Sequence, residues 1–441
     1  MSEAALSTST PLRIAVVTAG PFVLLAALLL ALAYWWMQPN PPRRLVMATG
    51  VPQGAYSEFG QRYARLLERH GIRVELRNTQ GAAENLALVR DAASGVDVAF
   101  VQGGASDGAA SEADPHLVSL GSMFQEPVWL FYRSDSAQRL LKAPRLASLS
   151  QLAGWRVNIG APGSGVPVLA RRLLEANRID AGAIALSEQP VTPAVVELLE
   201  GRLDAVILAS APESLIVQML LQTPGIALFD FAQADAYTRR FGFLSAVTLP
   251  RGVVDLARDL PAADVHMVAP TATLVARDSL HPALVQLLVQ AARQVHGEPG
   301  WFQRKNEFPN AADGERTLAP EAERFYRNGV PWLQRYLPFW IANLVDRMWI
   351  ALLSIVAVLI PLSRVLPPLV ELRIRSRVFR WYGQLREIEA QAGRQGASGL
   401  LEQLDAIESR VNAVQLPLSY ADELYALKSH IQLVRRRLQA G

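Results

Sequence analysis

Residues 45–56 read LVMATGVPQGAY, and this stretch decides the fold class of the middle of the chain. Its first five residues are apolar or β-branched, which predicts a short buried strand. Residues 50–54 hold two glycines and a proline and predict a turn. A helix follows, because the apolar residues after the turn recur on one helical face: Phe59, Tyr63, Leu66 and Leu67.

The alternation of strands and helices continues beyond this first unit. Residues 74–77 predict a second strand, 84–93 a second helix and 96–101 a third strand. Strands and helices that alternate through short connections are typical of a largely parallel sheet covered by helices on both faces.

The same order of elements recurs later in the chain, which predicts two similar α/β lobes. Residues 155–165 read WRVNIGAPGSG, again a strand followed by a glycine-rich turn and a helix, and a later strand follows Asp204 as an earlier one follows Asp97. Gly50 and Asp97 are 47 residues apart, and Gly160 and Asp204 are 44 apart.

Two such lobes create a cleft where strands end and helices begin, and this edge is where open α/β sheets bind ligands. Helix N-termini favour carboxylates or phosphates there. Glycines at 54, 163 and 165 let the backbone approach a ligand closely, and Ser164 adds a hydroxyl group. The alternative is that these glycines only form tight turns.

Composition excludes several classes of protein. The 441 residues predict two or three domains, and the absence of cysteine excludes disulfides, thiolate metal sites and a cysteine nucleophile. A net charge of +3 is no signature of nucleic-acid binding. Only 19% of the residues are charged, and two uncharged runs near the ends account for this low share.

The first uncharged run, residues 14–37, predicts a transmembrane helix that ends in three aromatic residues, as suits a membrane interface. A cleaved signal peptide is the alternative, because Ala31-Leu32-Ala33 fits a cleavage site. The second run predicts a span at 340–363, interrupted only by Asp346-Arg347. A buried core helix is the alternative there.

The arginines after the second run predict the orientation of both spans. Arg364, Arg373, Arg375, Arg377 and Arg380 follow it closely, which indicates a cytoplasmic side. Residues 1–13 are then cytoplasmic as well, residues 40–338 lie outside, and 364–441 form a cytoplasmic tail. Within the tail, helical spacing over residues 400–414 and 424–438 predicts a helical hairpin. This hairpin is either a docking module or a pair of helices that packs on the helix at 369–389.

The sequence contains no catalytic or metal-binding pattern. The six histidines lack metal-ligand spacing, and neither H-E-x-x-H nor G-x-x-x-x-G-K-[ST] occurs. Pro162 disrupts a G-x-S-x-G elbow around Ser164. We therefore expect no cofactor, no metal and no catalytic residue, and an enzyme remains an alternative without a chemical signal.

Short motifs in the middle of the chain resemble one protein family in the same order. They are Ala48-Thr49-Gly50, Gly54-Ala55-Tyr56, Thr79-Gln80-Gly81, Glu84-Asn85-Leu86, Asp97 to Gln102, Gly121 to Phe124 with Glu126-Pro127, Pro162 to Gly165, and Leu203-Asp204-Ala205. Over about residues 44–330 the chain resembles the TAXI family of solute-binding subunits of TRAP transporters, in a membrane-tethered form. Val51, Pro52 and Gln53 interrupt the glycine-rich run that is usual in this family.

The resemblance implies a bilobed fold of the periplasmic-binding-protein type at the bacterial inner membrane. We expect lobe 1 at about 44–125 and 270–330 and lobe 2 at about 135–260, with hinges near 117–133 and 245–275. The implied partners are a small anionic organic solute, either a dicarboxylate or an acidic amino acid, a TRAP-type permease and the lipid bilayer. A ligand sensor that signals through the second span and the tail is the alternative function.

The predicted ligand-binding residues are polar groups or glycines at strand ends and helix starts. In lobe 1 these are Gln53, Tyr56, Gln80, Asn85 and Gln102. In lobe 2, Gly163, Ser164 and Gly165 are expected to form an anion-binding nest, with Ser210 at the end of the strand after Asp204. Charge recognition is then expected from N–H groups and not from a fixed arginine.

Overall fold

The structure, a computed structural model, describes residues 9–37, 40–52, 54–105, 114–312, 315–391, 397–413 and 421–440. The described part falls into two compact units, of which one spans Pro39–Leu344 and the other joins the two ends of the chain. The helices are α1 (Ser9–Met37), α2 (Ala55–Glu68), α3 (Ala82–Arg90), α4 (Ser134–Leu141), α5 (Val166–Ala176), α6 (Val191–Leu199), α7 (Leu215–Gln222), α8 (Ala234–Arg240), α9 (Pro282–His296), α10 (Pro320–Asn328), α11 (Phe339–Gln391), α12 (Ala397–Ala413) and α13 (Ala421–Ala440).

The strands all lie in the central unit and form two sheets. They are β1 (Arg44–Ala48), β2 (Arg73–Arg77), β3 (Val98–Gln102), β4 (Leu117–Gln125), β5 (Val128–Arg133), β6 (Arg156–Asn158), β7 (Ala185–Ser187), β8 (Ala205–Ala209), β9 (Ile226–Leu228), β10 (Leu244–Leu249) and β11 (Val265–Arg277). One sheet has the order β10-β11-β3-β1-β2, with β4 also paired to β11, and the other has the order β7-β6-β8-β5-β9.

Both sheets are mixed, so the prediction of a largely parallel sheet is only partly right. The strands predicted from the repeat, β1 to β3 and β6 to β8, do pair in parallel. β4, β5, β9, β10 and β11 pair antiparallel. These strands lie between or after the two strand–helix repeats. The alternation that predicts parallel pairing therefore does not apply to them.

The two aspartates of the sequence repeat make equivalent hydrogen bonds in the two lobes. The Asp97 carboxylate accepts a hydrogen bond from the Val46 N–H at 2.8 Å, and the Asp204 carboxylate accepts one from the Arg156 N–H at 3.0 Å. Each aspartate therefore fixes the start of the strand next to its own. Lobe 1 is the part built around β1 to β4, and lobe 2 is the part built around β5 to β9.

Among the described residues, two neighbouring segments cross between the lobes. The first is the short link from β4 to β5, residues 125–128. The second is β11, because Met267 and Val268 pack in the cores of lobe 2, whereas Ala272 and Leu274 pack in the core of lobe 1. The crossings are bonded to each other, since the Glu126 N–H donates to the Pro270 carbonyl at 2.9 Å.

The unit that joins the chain ends is helical. Among the described residues, one stretch is long and apolar enough to cross a membrane: Phe339–Leu362, with 24 residues and a mean hydropathy of 2.0. The apolar part of α1, Phe22–Trp36, is shorter, so the pair of spans at 14–37 and 340–363 stays a prediction. Within the most apolar 18 residues of this stretch, only 6% are buried, which counts against a core helix.

The predicted tail helices are present as α12 and α13. Leu404, Val411, Leu427 and Ile431 form their shared core, which also includes Leu385 of α11. The hairpin thus packs on the C-terminal part of α11, as one of the two alternatives expected. The connection at 414–420 lies outside the described residues.

Candidate functional site

A cavity of about 340 Å³ lies between the two lobes of the central unit. Its walls come from the ends of strands and the starts of helices in both sheets, as expected for α/β lobes. Lobe 1 and the first crossing contribute Gly50, Val51, Pro52, Gly54, Ala55, Tyr56, Gln80, Gly81, Ala82, Gln102 and Glu126. Lobe 2 contributes Asn158, Gly160, Ala161, Ser164, Val166, Pro190, Val191, Thr192, Ile207, Leu208, Ala209, Ser210, Ser214, Leu215 and Ile216.

Five of the described helices, α2, α3, α5, α6 and α7, begin at this cavity. Among them, no N-cap residue accepts a hydrogen bond from its helix through a side chain. Backbone N–H groups at the start of a helix otherwise need such a cap, water or a ligand. The partial positive charge of these helix ends makes the cavity favourable for a carboxylate group.

One acidic side chain lies in the wall, at the first crossing. Glu126 is 4% exposed, and its carboxylate accepts a hydrogen bond from the Tyr56 hydroxyl at 2.8 Å. Burial raises the pKa of Glu126 to about 7, although the bond from Tyr56 acts in the opposite direction. Burial and the nearby Glu126 raise the pKa of Tyr56 well above its ordinary value, so its hydroxyl stays protonated.

The lobes touch at one rim of the cavity, through glycines. A Cβ atom placed on Gly163 would lie 2.6 Å from the Cβ atom of Gln80, and one on Gly81 would lie 2.9 Å from the Cα atom of Ser164. Both distances are too short for any side chain. The two glycine-containing turns therefore meet backbone against backbone across the cleft.

Most of the predicted site residues lie at this cavity. Its lining includes Tyr56, Gln80, Gln102, Ser164 and Ser210. Gly163 and Gly165 are next to it, at the contact between the lobes. Gln53 lies outside the described residues.

Asn85 does not line the cavity. It is fully buried in lobe 1, where its amide donates to the carbonyls of Thr49 and Phe100 and accepts from the Thr79 hydroxyl. These bonds join the end of β1 to the end of β3. Asn85 therefore supports the loops that surround the cavity, and its amide is engaged within the lobe.

Ser164 contributes differently from the expected hydroxyl donor. Its Oγ atom donates to the Ala161 carbonyl at 2.7 Å, and its N–H donates to the same carbonyl at 2.9 Å. The turn is held by these bonds, and Gly165 ends it in the left-handed region with a φ of +83°. The proton of the Ser164 hydroxyl is therefore engaged within the turn.

Sequence reasoning did not single out Glu126, Asn158, Thr192 or Ser214 as site residues. Glu126 did carry a signal, because it stands alone between two strongly apolar runs, 117–124 and 128–132. A charge in such a context is either buried with a partner or functional. Thr192 and Ser214 have no such signal, since their position depends on how α6 and α7 pack.

Within the described residues, no group of three or more histidine, aspartate or glutamate side chains is arranged to hold a metal ion.

Many solved structures are similar to parts of this chain, among them the following three. A protein from Bordetella bronchiseptica RB50 is 15% identical, with 58% of this chain and 71% of that chain covered and a TM-score of 0.41. The alkanesulfonate-binding protein SsuA from Xanthomonas axonopodis pv. citri, bound to MOPS, is 17% identical, with 46% and 69% covered and a TM-score of 0.33. PhnD1 from Prochlorococcus marinus (MIT 9301), in complex with methylphosphonate, is 10% identical, with 58% and 85% covered and a TM-score of 0.38.

A family model covers the whole bilobed region. It is the model of the NMT1-like family, and it matches residues 47–328. This range includes both sheets except the first residues of β1, and it includes every described residue that lines the cavity. The match extends over more than half of the sequence, and the chain belongs to the NMT1-like family.

Proposed function

We propose that this chain is the solute-binding subunit of a TRAP-type transporter of the TAXI kind. The observation that carries the proposal is the cavity of about 340 Å³ between two lobes, with five helix N-termini at its wall. A cavity of this size is suitable for a small organic molecule. The function is binding and delivery, with no catalytic step.

The solute carries at least one carboxylate group in this proposal. The supporting feature is the set of uncapped helix starts, especially those of α5, α6 and α7 in lobe 2. No lysine, arginine or histidine is among the described residues of the lining. Recognition of the negative charge therefore depends on backbone N–H groups, as expected for a dicarboxylate or an acidic amino acid.

The bilobed domain lies on the periplasmic side of a bacterial inner membrane in this proposal, attached through spans at 14–37 and 340–363. The apolar helix Phe339–Leu362 supports the second attachment, and the five arginines that follow it support the orientation. Solute transfer then requires a separate TRAP-type permease, because two helices do not form a transport path.

The test is native mass spectrometry of the full chain, purified in detergent, followed by identification of any molecule that is released. We expect a small organic acid or amino acid at one copy per chain. A second preparation is exposed to a panel of organic anions and amino acids in calorimetry. A chain that arrives empty and binds no member of the panel contradicts the proposed function.

A sensor is a second candidate, favoured by one specific observation. α11 runs without interruption from the apolar stretch Phe339–Leu362 to Gln391, where it packs with α12 and α13. A continuous helix of this kind transmits a displacement from one end to the other. Truncation after residue 391 distinguishes the two functions, because solute uptake persists in a transporter subunit, whereas a sensor loses its output.

A further inference from the structure

The cavity has an uneven distribution of hydrogen-bond donors and acceptors. Glu126 and Tyr56 are the ionisable side chains among the described lining residues. The one charge that the described wall itself supplies is therefore negative.

Acceptors are concentrated in lobe 1 and the first crossing. Besides the Glu126 carboxylate, the wall contains Gln102, which is 2% exposed and whose Oε1 atom has no hydrogen-bond partner among the described residues. A buried carboxylate and a buried unpaired amide oxygen both cost free energy unless a donor reaches them. A positively charged donor satisfies the carboxylate best.

Helix N-termini supply donors from both lobes, with α2 and α3 in lobe 1 and three further helices in lobe 2. The starts of α5, α6 and α7 lie there, and hydroxyl groups of Thr192 and Ser214 stand beside two of them. Apolar side chains, among them Val166, Ile207 and Ile216, form much of that wall, beside the polar Asn158, Ser164 and Ser210. A solute that matches this cavity has a carboxylate at one end, a cationic donor at the other and an apolar body.

We infer that the solute is an amino acid in its zwitterionic form, that Glu126 receives its ammonium group, and that this contact excludes dicarboxylates. The inference rests on the proposed function and narrows it. The Tyr56 hydroxyl holds Glu126 in place by its hydrogen bond, and it is the titratable group that faces Glu126 within the described lining. Next to Glu126, Pro127 of the same crossing and Pro270 of β11 carry no charge.

The inference predicts the sign of a pH effect on binding. Because the pKa of Glu126 in the free protein is about 7, its carboxyl is mostly neutral at pH 6 and mostly ionised at pH 8. An ammonium group binds the ionised form, so the affinity falls about tenfold between pH 8 and pH 6. An anion without an amino group has the opposite dependence, since its charge favours the neutral form of Glu126.

The experiment is calorimetry on the full chain in detergent with pairs of probes that differ only in the amino group. The pairs are L-glutamate with glutarate, L-leucine with 4-methylpentanoate, and L-phenylalanine with 3-phenylpropanoate. We expect one amino acid to bind at least tenfold more tightly than its partner at pH 8. Glu126→Gln, which keeps the shape of the side chain, should reduce this preference to less than about threefold.

Two further variants make the outcome decisive. Glu188→Gln removes an acidic group that pairs with Arg171 away from the cavity, and it should keep the preference unchanged. Tyr56→Phe removes the bond that favours ionised Glu126, so the pH midpoint of binding should move upward, which a purely structural role of Glu126 would not cause.

The opposite results overturn the inference. If a des-amino acid binds more tightly than its amino acid and gains affinity as the pH falls, Glu126 binds an anion together with a proton, and the proposed function stands without the inference. If no probe binds the wild-type chain and none is released from it, the proposed function fails and the inference fails with it.

Discussion

At the residue scale, one added side-chain atom would prevent the two lobes from making their contact at Gly163. Its Cα atom lies against the Gln80 side chain of the other lobe, and its backbone has no left-handed φ that would require glycine by itself. The need for glycine there comes from the contact across the cleft. Asp204 is a residue of a different kind, because its one carboxylate accepts hydrogen bonds from two elements of lobe 2, α4 and β6.

Gly163→Ala tests whether the contact between the lobes belongs to the bound state. The added Cβ atom would lie 2.6 Å from the Cβ atom of Gln80, so the lobes cannot approach as closely. We expect solute affinity to fall at least tenfold in calorimetry while the melting temperature without solute stays within about 2 °C. Gly242→Ala is the control, since a Cβ atom there meets nothing within 4 Å. Equal affinity of both variants would show that binding does not need this contact.

Asp204→Asn tests the stabilisation of lobe 2. The carboxylate accepts from Ser136 at 2.6 Å and from the Arg139 and Arg156 side chains at 2.7 and 2.9 Å. Burial alone would raise the pKa of Asp204, but the hydrogen bonds, led by that from Arg156, lower it to about 2. Because the pKa is below that of the unfolded chain, the stabilisation is complete above about pH 4 and is lost as the pH falls through about 2.

The substitution should cost about 2–4 kcal/mol in the free energy of unfolding at pH 7, measured by urea denaturation with tryptophan fluorescence. Asp135→Asn is the matched control, because its carboxylate is 58% exposed beside Arg133 and should contribute less than about 1 kcal/mol. A loss no larger than that of the control would mean that the network in lobe 2 is not stabilising.

At the scale of elements, lobe 1 depends on an aromatic cluster where α2, β4 and α9 meet. The His296 ring, 3% exposed at the end of α9, stacks on Phe124 at 5.3 Å between ring centroids and meets Phe59 edge to face at 4.6 Å. Tyr63 and Phe100 complete the cluster. Burial, with a smaller effect of Arg62, lowers the pKa of His296 to about 3, so the ring is neutral inside the protein.

His296→Phe should therefore change how stability depends on pH. The unfolded chain binds a proton at this histidine below about pH 6.5, whereas the folded chain does not until about pH 3. The contribution of neutral His296 is complete above pH 6.5 and falls by up to about 1.4 kcal/mol for each pH unit below it. Phenylalanine keeps the aromatic packing without this loss.

Urea denaturation at pH 7.5, 6 and 5 measures the effect. The wild-type chain and His116→Gln, a control whose side chain is 86% exposed, should lose more stability toward pH 5 than His296→Phe does. Parallel pH dependences in all three proteins would contradict the assignment of a neutral buried ring.

At the scale of the whole molecule, we expect the two crossings to act as the hinge between the lobes. The two crossings lie side by side and are joined by the hydrogen bond from the Glu126 N–H to the Pro270 carbonyl. Motion about such a pair of crossings opens or closes the cleft while each sheet stays intact. The contact between the glycine turns is the arrangement that we expect for a closed cleft.

Distance measurements between spin labels test the closure. The natural chain has no cysteine, so Ala87→Cys on α3 and Glu175→Cys on α5 give two exposed and unique labelling positions. We expect a longer and broader distance distribution without solute, and a shift to the shorter distance when solute is added. Gln61→Cys with Ala87→Cys, both within lobe 1, should give one unchanged distance. Identical distributions across the cleft with and without solute would contradict hinge closure.

The sequence by itself determined the order of elements, because their apolar periodicity is local. The strands at 44–48 and 98–102 and the helix at 55–68 lie within a few residues of their predicted positions, and the echo of Asp97 in Asp204 does reflect equivalent bonds in the two lobes. Most of the polar residues predicted at the cleft were also identified from the order of elements. The carboxyl ends of parallel strands meet at one edge of a sheet, so residues that follow these strands lie close together.

Only the tertiary structure determined the strand directions, the burial and the contacts that depend on distant parts of the chain. The antiparallel direction of β4, β5 and β11 follows from pairing between segments up to 178 residues apart, which no local pattern encodes. Asn85 is buried inside lobe 1, where its amide donates to the Phe100 carbonyl. Glu126 lies in the cavity wall, and its burial there raises its pKa. Solvent exclusion and contacts with partners are properties of the packed molecule. The position and protonation of Glu126 in the cavity wall therefore could not be derived from the sequence.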